Sequence, residues 1–501
     1  MAQFVIVMHL AATETGLPKI QAALDASGSD LSWILNSHML FLAGLLLPLG
    51  AIGDYFGHRR VFIAGLLIFG FASGVAAASV EVYQIVVMRA IMGVASAALI
   101  PTTLAIVSET FPERGEFRRA VGVWAAAAPA GGIIGLVGAG MAVKFFSWGA
   151  IFLLPVPFVL AGLIGAVFVV PPTKKTTSPR PFDPMGTLLG MVSVGAFVYG
   201  VIEAPNNGWS SAVVLGMFVI SGCAAVCFVF WEGWTRHPVM KLEYFKNPRF
   251  TMPLVATVAG SFGLFAYVFL LTQYFQFAQG HTALDSGLRT LPHAVLAVFI
   301  SLAAPLLVAS RGIRFTISSA LFIETVGLTW LALITPHTPY WGVMGALALI
   351  GAGFSILVTT TPAAIVAGLS DDQAGVGSAV AETAKMMGGS VGIAVGGTLL
   401  AIGYRSSINP TIDKLSAENP TTTGFLARGR DSVGRGLSAA DQVGGTAGEQ
   451  LADAAVNAFD TGMTLSLLVG AAIALVSGIA IALLYPKTVT TSEAAVGSVS
   501  F

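Results

Sequence analysis

The chain has 501 residues, of which 55% are hydrophobic and 10% charged, and its mean hydropathy is +0.83. Soluble globular proteins run to about 25% charged residues, so this composition excludes a soluble enzyme or binding module and describes a polytopic membrane protein. Lysine plus arginine balances aspartate plus glutamate, 25 against 25. No basic excess points to nucleic acid, and the informative quantity is where the charges fall along the chain.

A helix crossing a bilayer core of roughly 30 Å needs about 20 apolar residues. Read against turn and charge punctuation, the chain predicts fourteen such segments, at approximately 1–18, 31–52, 61–79, 82–107, 120–143, 149–170, 186–204, 211–231, 251–277, 287–310, 314–335, 340–369, 376–404 and 462–485. An even number sets both termini on one side. The alternate short loops carry about fifteen Lys or Arg on one face and about three on the other. The positive-inside rule then predicts cytoplasmic termini in a plasma (inner) membrane. The basic loops include PERGEFRR at 112–119, PPTKKTTSPRP at 171–181 and the stretch 232–250.

The first segment shows no basic region of a cleavable signal. From Met1 to Leu17 it is shorter than a span wants, which suggests a start upstream of Met1 and a missing cytoplasmic tail. It carries His9 and Glu14, about 140° apart on a helix, so the two face different neighbours. The second segment carries Asn36 and His38 and ends in GAIGDYFGHRR at 50–60. This compact turn holds Asp54, Gly57, His58, Arg59 and Arg60. It reads either as a positively charged anchor loop or as a conformational latch, with Asp54 pairing Arg59 or Arg60, or lying against a neighbouring helix N-terminus, in one of two states.

In the fourth segment Arg89 lies among apolar residues, and a guanidinium at bilayer depth is a functional hypothesis by default. The fifth, WAAAAPAGGIIGLVGAG, is crowded with small residues that let helix backbones approach closely. Glu203 in the seventh opens the stretch EAPNNGW and is expected at an interface. Cys223 and Cys227, four apart in the eighth, imply neither a disulfide nor a metal site.

The ninth segment supplies Phe262, Phe265, Tyr267, Phe269, Gln273, Tyr274 and Gln276. Such a set suits the apolar, aromatic wall of a pocket for lipophilic cations, and equally suits packing against other helices or lipid. Glu324 lies near the middle of the eleventh segment. Glu382 lies in the middle of the thirteenth, where a carboxylate in hydrocarbon can load and release a proton; Lys385, three residues on, offers an ordinary intrahelical pair instead. The stretch 405–460 is long, of mixed charge, and ends in the helical-looking GEQLADAAVNAF. It reads as a cap over an outer vestibule or as a solvated linker. No P-loop is present, and the glycines lie in membrane helices rather than after a strand.

Several of these stretches resemble the major facilitator superfamily. GAIGDYFGHRR looks like its G-x-L-A-D-R-x-G-R-K loop, with His58 where Arg is usual. Arg89 and Gly93, followed by Pro101, Thr102 and Thr103, match its fourth-helix R-x-x-x-G pattern. The fifth segment is similar to the exporters' G-P-x-x-G-G motif through Gly131, Gly135 and Gly140, although Leu136 replaces the proline and Ala139 a glycine. VMHLAATETGLPKI looks like L-D-x-T-x-V-N-x-A-L-P, with His9 for the aspartate and Glu14 for the asparagine. Asn36 stands at a family polar position and His38 where Tyr is common. Further likeness runs through PFDPMG, EAPNNGW, TQYFQFAQG, SGLRTLP and GSAVAETAKMMGGSVGIAVGG.

Together these cover almost the whole chain and resemble the fourteen-helix drug:proton antiporters, exporters of quaternary ammonium compounds and dyes. The resemblance implies an all-α major facilitator fold with two six-helix halves plus two inserted helices. The expected division is 1–170 for the N-terminal half, 171–250 for the inserted helices and linkers, 251–485 for the C-terminal half with its external loop 405–460, and 486–501 for a cytoplasmic tail. It implies a non-enzymatic, monomeric, proton-coupled multidrug exporter working by alternating access. Its partners are drugs or dyes, protons and the lipid bilayer, with no nucleic acid, no metal and no cofactor beyond the proton gradient. Glu382 falls where dye exporters carry Glu, and Glu14, His9 and Glu324 are the other coupling candidates; the eleventh helix is peripheral in the family. Asn36, His38, Phe262, Phe265, Phe269, Gln273 and Gln276 are the cavity candidates. The same scaffold suits a lipid or dedicated secondary-metabolite exporter. A membrane sensor that transports nothing fits less well, because a passive span has no use for groups as costly as Arg89 and Glu382.

Overall fold

The computed structural model describes residues 1–111, 113–171, 183–236, 238, 242–369, 374–418 and 423–486, and among these it is all-α with no strand. The basic loop at 171–181 lies almost wholly outside the described residues, as does the tail beyond 486. Among the described residues twelve helices are long and apolar enough to cross a membrane. One of them, α11 (Ala283–Ala332), is 50 residues long and contains two spans that meet at Gly312. Gly312 has φ 81° and ψ 163°, a conformation that glycine adopts without a steric cost. With α1 (Ala2–Leu24), at 23 residues long enough to span, this makes the fourteen crossings expected.

The first helix differs from its reading in sequence. Pro18 does not end it; the helix carries on through Lys19 and Gln21 to Leu24 and stops where Asp25 turns left-handed at φ 48°. The residues after Pro18 therefore belong to the same helix as the apolar run. Ser27 and Asp30 then form a reciprocal capping box at the start of α2 (Gly28–Phe56). Gly57, at φ 95°, makes the reversal into α3 (His58–Ala77) with no intervening loop.

The N-terminal group is completed by α4 (Val82–Thr110), α5 (Arg114–Phe145) and a sixth span broken at Pro155 into α6 (Ala150–Leu153) and α7 (Val156–Phe168). Next come α8 (Pro184–Asn207), which packs on α2 and α13, and α9 (Ala212–Trp234), which packs chiefly on α8. Cys223 and Cys227 are free and exposed on α9. The C-terminal group is α10 (Pro248–Gln273) with a π-helical turn at Tyr274–Ala278, α11, α12 (Tyr340–Ala367), α13 (Ala374–Glu418) and α16 (Gly445–Leu484).

Glycines set the seams. A Cβ on Gly131 or Gly135 would overlap the Phe4 or Met8 carbonyl, so α5 lies backbone to backbone on α1. One on Gly140 would stand 2.5 Å from Leu284 Cα, and one on Gly287 would stand 2.7 Å from the Leu136 carbonyl, which brings α5 against α11 of the other group. Gly93 seats α4 on the His38 carbonyl of α2. The two groups also meet where α2 packs on α13 and α1 on α10.

At one face, here the cap face, α13 and α16 run on beyond the bundle and α14 (Thr423–Arg428) and α15 (Val433–Val443) lie across it. Gln21 Nε2 donates to Ser432 Oγ at 2.8 Å, and Arg435 pairs with Asp25 at 3.1 Å. Arg405 donates to the Pro205 carbonyl and, at 2.6 Å, to Asn206 Oδ1. Among its described residues the stretch 405–460 is thus folded against the bundle as a cap rather than a solvated linker. Toward the opposite face α4 loses its cover: residues 95–100 and Thr102 are buried, 103–107 half-buried and 108–110 exposed.

Candidate functional site

Arg89 is fully buried in the N-terminal group. Its Nη1 lies 2.9 Å from His9 Nε2 and donates to Thr13 Oγ1 at 2.7 Å, while Nε donates to the Ile34 carbonyl. A guanidinium has donors only, so His9 Nε2 accepts and its ring proton sits on Nδ1. His9 is therefore occupied as an acceptor beneath Arg89, and cannot in this arrangement take up a proton at Nε2. His38 is buried behind it, 5.7 Å ring to ring. Both His38 ring nitrogens, His9 Nδ1 and Arg89 Nη2 lack partners among the described residues.

Glu14 faces away from this cluster, as the helical angle requires. It lines a cavity of about 30 Å³ with Thr15, Leu136, Thr272, Ser286 and Thr290, between α1, α5, α10 and α11. That is room for a water molecule among hydroxyls. The carboxylate takes no hydrogen bond among the described residues. Gln276 Nε2 donates to the Thr15 carbonyl at 2.9 Å and ties α10 to α1 beside it. Glu14 is thus a buried acid on the seam between the two groups.

Of the other acids, Glu382 is half-buried and Lys385 Nζ stands 2.7 Å from its Oε2. The expectation of an isolated carboxylate there is corrected: the intrahelical pair forms. Glu324 is fully buried with both carboxylate oxygens unpartnered among the described residues. Glu203 accepts from Trp33 Nε1 at 2.9 Å.

The expected cavity wall is largely a helix seam. Glycines of α13 lie against α10: Gly392 against the Phe262 backbone, Gly389 against the Phe265 ring, and Gly397 within 3.4 Å of the Phe269 ring for an added Cβ. Gln273 bonds back to the Phe269 carbonyl at 3.1 Å. Asn36 accepts from Ser390 Oγ of α13 at 2.6 Å and so joins the two groups.

At the turn, His58 Nε2 lies 3.4 Å from both Asp54 Oδ1 and Glu109 Oε1. Arg59 donates to the Ala166 and Val167 carbonyls, at 2.8 and 2.6 Å, at the end of α7. His58 thus stands between acids of α2 and α4, and Arg59 clamps the sixth span to the start of α3. Two partners went unremarked in the sequence, Thr13 and His293. Thr13 is one turn from His9. His293 is a lone ionisable group in an apolar run, the same signal that marks Arg89.

A polytopic helical bundle in two groups, with buried ionisable side chains on the seam between them, is the architecture of a secondary transporter rather than an enzyme. The profile of the Major Facilitator Superfamily matches residues 1–393, and the chain belongs to that family. It is similar to the multidrug efflux pump LfrA of Mycolicibacterium smegmatis, at 30% identity over 92% of this chain and 89% of that one. It is also similar to the methyl viologen resistance protein SmvA of Salmonella typhimurium, at 28% identity over 90% and 89%. Among solved structures, it shares its fold with a bacterial homologue of the lysosomal transporter Spinster in an inward-facing, unoccupied conformation, at TM-score 0.58, 14% identity and 96% of both chains. A POT family transporter bound to 5-aminolevulinic acid gives a TM-score of 0.61 at 13% identity, over 96% of this chain and 94% of that one.

Proposed function

We propose that this transporter exports lipophilic drugs across the plasma membrane in exchange for protons, with Glu14 as a proton carrier and the cap on the outer face. The observation that carries the reading is a carboxylate buried on the seam between the two helical groups, with no hydrogen-bond partner among the described residues, beside a cavity of about 30 Å³. An ionised carboxylate is costly there, so a sealed seam favours a protonated Glu14 and a seam opened to water favours its release. Relatives named for multidrug efflux, for methyl viologen resistance and for tetracenomycin C resistance and export support a drug as the other ligand. Each ligand then shifts the same rocking equilibrium of the two groups, and exchange follows from their opposed preferences. His9, in this reading, is a support for Arg89, and Glu382 with Lys385 is a charge pair on the α13 side.

The test uses purified protein in liposomes with an internal pH-sensitive dye, challenged with ethidium, methyl viologen and neutral lipophilic drugs under an imposed pH gradient. Drug-dependent proton movement is expected for the wild type. Glu14→Gln should reduce it while still exchanging drug downhill, and Glu382→Gln should retain it in full. If no drug on the panel moves protons, the antiport reading fails, and altered envelope lipids on expression would then favour a lipid cargo.

A further inference from the structure

Resting on that reading, we propose that Glu324 is a second proton-carrying carboxyl, housed in the C-terminal group. The site is built on bare helix backbone. A Cβ on Gly263 of α10 would stand 2.6 Å from Glu324 Oε1, and one on Gly260 would stand 3.1 Å from Oε2. Gly353 of α12 leaves the room behind, where a Cβ would be 2.9 Å from Glu324 Cβ and N. Three glycines on two neighbouring helices thus give one carboxyl its space, while neither oxygen receives a hydrogen bond among the described residues. A carboxyl kept for packing would be replaced by an apolar side chain at no loss, whereas a buried acid without a partner is costly unless it carries a proton.

The surroundings of Glu324 bring little competing charge. Gly260, Gly263 and Tyr267 follow helical spacing along one face of α10, and the Tyr267 hydroxyl lies 3.3 Å from His293 Nε2 of the first span of α11. Tyr267 is fully buried. The other elements against Glu324 bring no charge to that depth among the described residues. In α12 the ionisable side chain is Tyr340, at its first residue, and in α16 the acids Glu449, Asp453 and Asp460 lie in its first half, toward the cap. One acid then sits on the α1 side of the seam and one inside the C-terminal group, so a proton can be held on each side of the rocking interface.

The experiment counts protons released on adding ethidium, methyl viologen or a neutral lipophilic drug to purified protein in weakly buffered detergent solution, followed with a soluble pH indicator. Relative to wild type, Glu324→Gln should release about one proton fewer per bound drug, as should Glu14→Gln, since a glutamine cannot exchange a proton. Glu324→Asp should keep the wild-type count with a displaced pH profile. Equal release by wild type and a folded Glu324→Gln overturns the proposal. Should Glu324→Gln not fold, Glu14→Gln decides: remaining release supports a second acid, and complete loss assigns all of it to Glu14. No release from wild type overturns the coupling reading itself, a result distinguishable from either of these.

Discussion

At the scale of single residues, the site is organised by an exchange of chemistry at position 9. Where the antiporter pattern carries an acid, His9 accepts a hydrogen bond from Arg89, and Thr13 and the Ile34 carbonyl take two more of its donors. The guanidinium is thereby held without a carboxylate in contact. His9→Ala should leave one more buried donor unmet and destabilise the folded protein by about 1–3 kcal/mol, read as a lower melting temperature in detergent. His9→Asp should do the reverse and give Arg89 an ion pair. It would also add a negative charge to the N-terminal group, and an interaction of about 1 kcal/mol with a bound cation corresponds to roughly a fivefold change. The expected outcome is a rise of that order in ethidium efflux relative to efflux of a neutral drug. An unchanged ratio would mean that position 9 does not sense substrate charge.

At the scale of elements, the glycines divide into those that set distances between helices and those that do not. A Cβ on Gly93 would collide with the His38 carbonyl, and one on Gly392 with the Phe262 carbonyl, whereas nothing stands within 4 Å of a Cβ on Gly74. Gly93→Ala and Gly392→Ala should therefore cost about 1–3 kcal/mol by overpacking, while Gly74→Ala should be neutral or gain about 0.5–1 kcal/mol from lost backbone freedom in the unfolded chain. Comparing melting temperatures of the three variants checks the division. Much of this scale was legible beforehand: fourteen apolar runs, the turn at Gly57, the buried Arg89 and the small-residue face of α5 all follow from hydropathy and local chemistry. Less legible was anything that depends on which helices meet. Glu382 and Glu324 look alike in sequence, an acid inside an apolar run. Lys385 lies three residues from the first and was open to reading as its partner, but the glycines that surround the second lie on α10 and α12, far away in the chain. The phenylalanines of α10 suited a pocket wall and a helix seam equally well until the α13 glycines opposite them were known.

At the scale of the whole molecule, the cap-face seam is closed by two layers. The inner layer is the bond from Gln276 to the Thr15 carbonyl. The outer is the cap, where Asp431 bridges Arg405 at 3.0 Å and Arg435 at 2.8 Å, Arg435 reaches Asp25 at the end of α1, and Arg405 reaches the end of α8. The cap thus fastens α13 and α16 of the C-terminal group to α1 of the N-terminal group, and rocking the cap face open must part them. A single exposed ion pair contributes about 0.2–1 kcal/mol, and networks sharing a residue contribute more. Arg405→Ala combined with Arg435→Ala should therefore shift the population toward an open cap face without unfolding the bundle. The reporter is Ala26→Cys, fully buried beside Asp25, the residue that Arg435 holds, in a Cys223→Ser, Cys227→Ser background. Labelling by a membrane-impermeant maleimide should be several-fold faster in the double variant, and raising the salt concentration should speed labelling of the parent toward the same rate by screening the pairs. An equal and salt-independent rate in both would leave the Gln276–Thr15 bond as the barrier and reduce the cap to a passive covering. Acceleration would make the cap part of the equilibrium by which the two groups alternate.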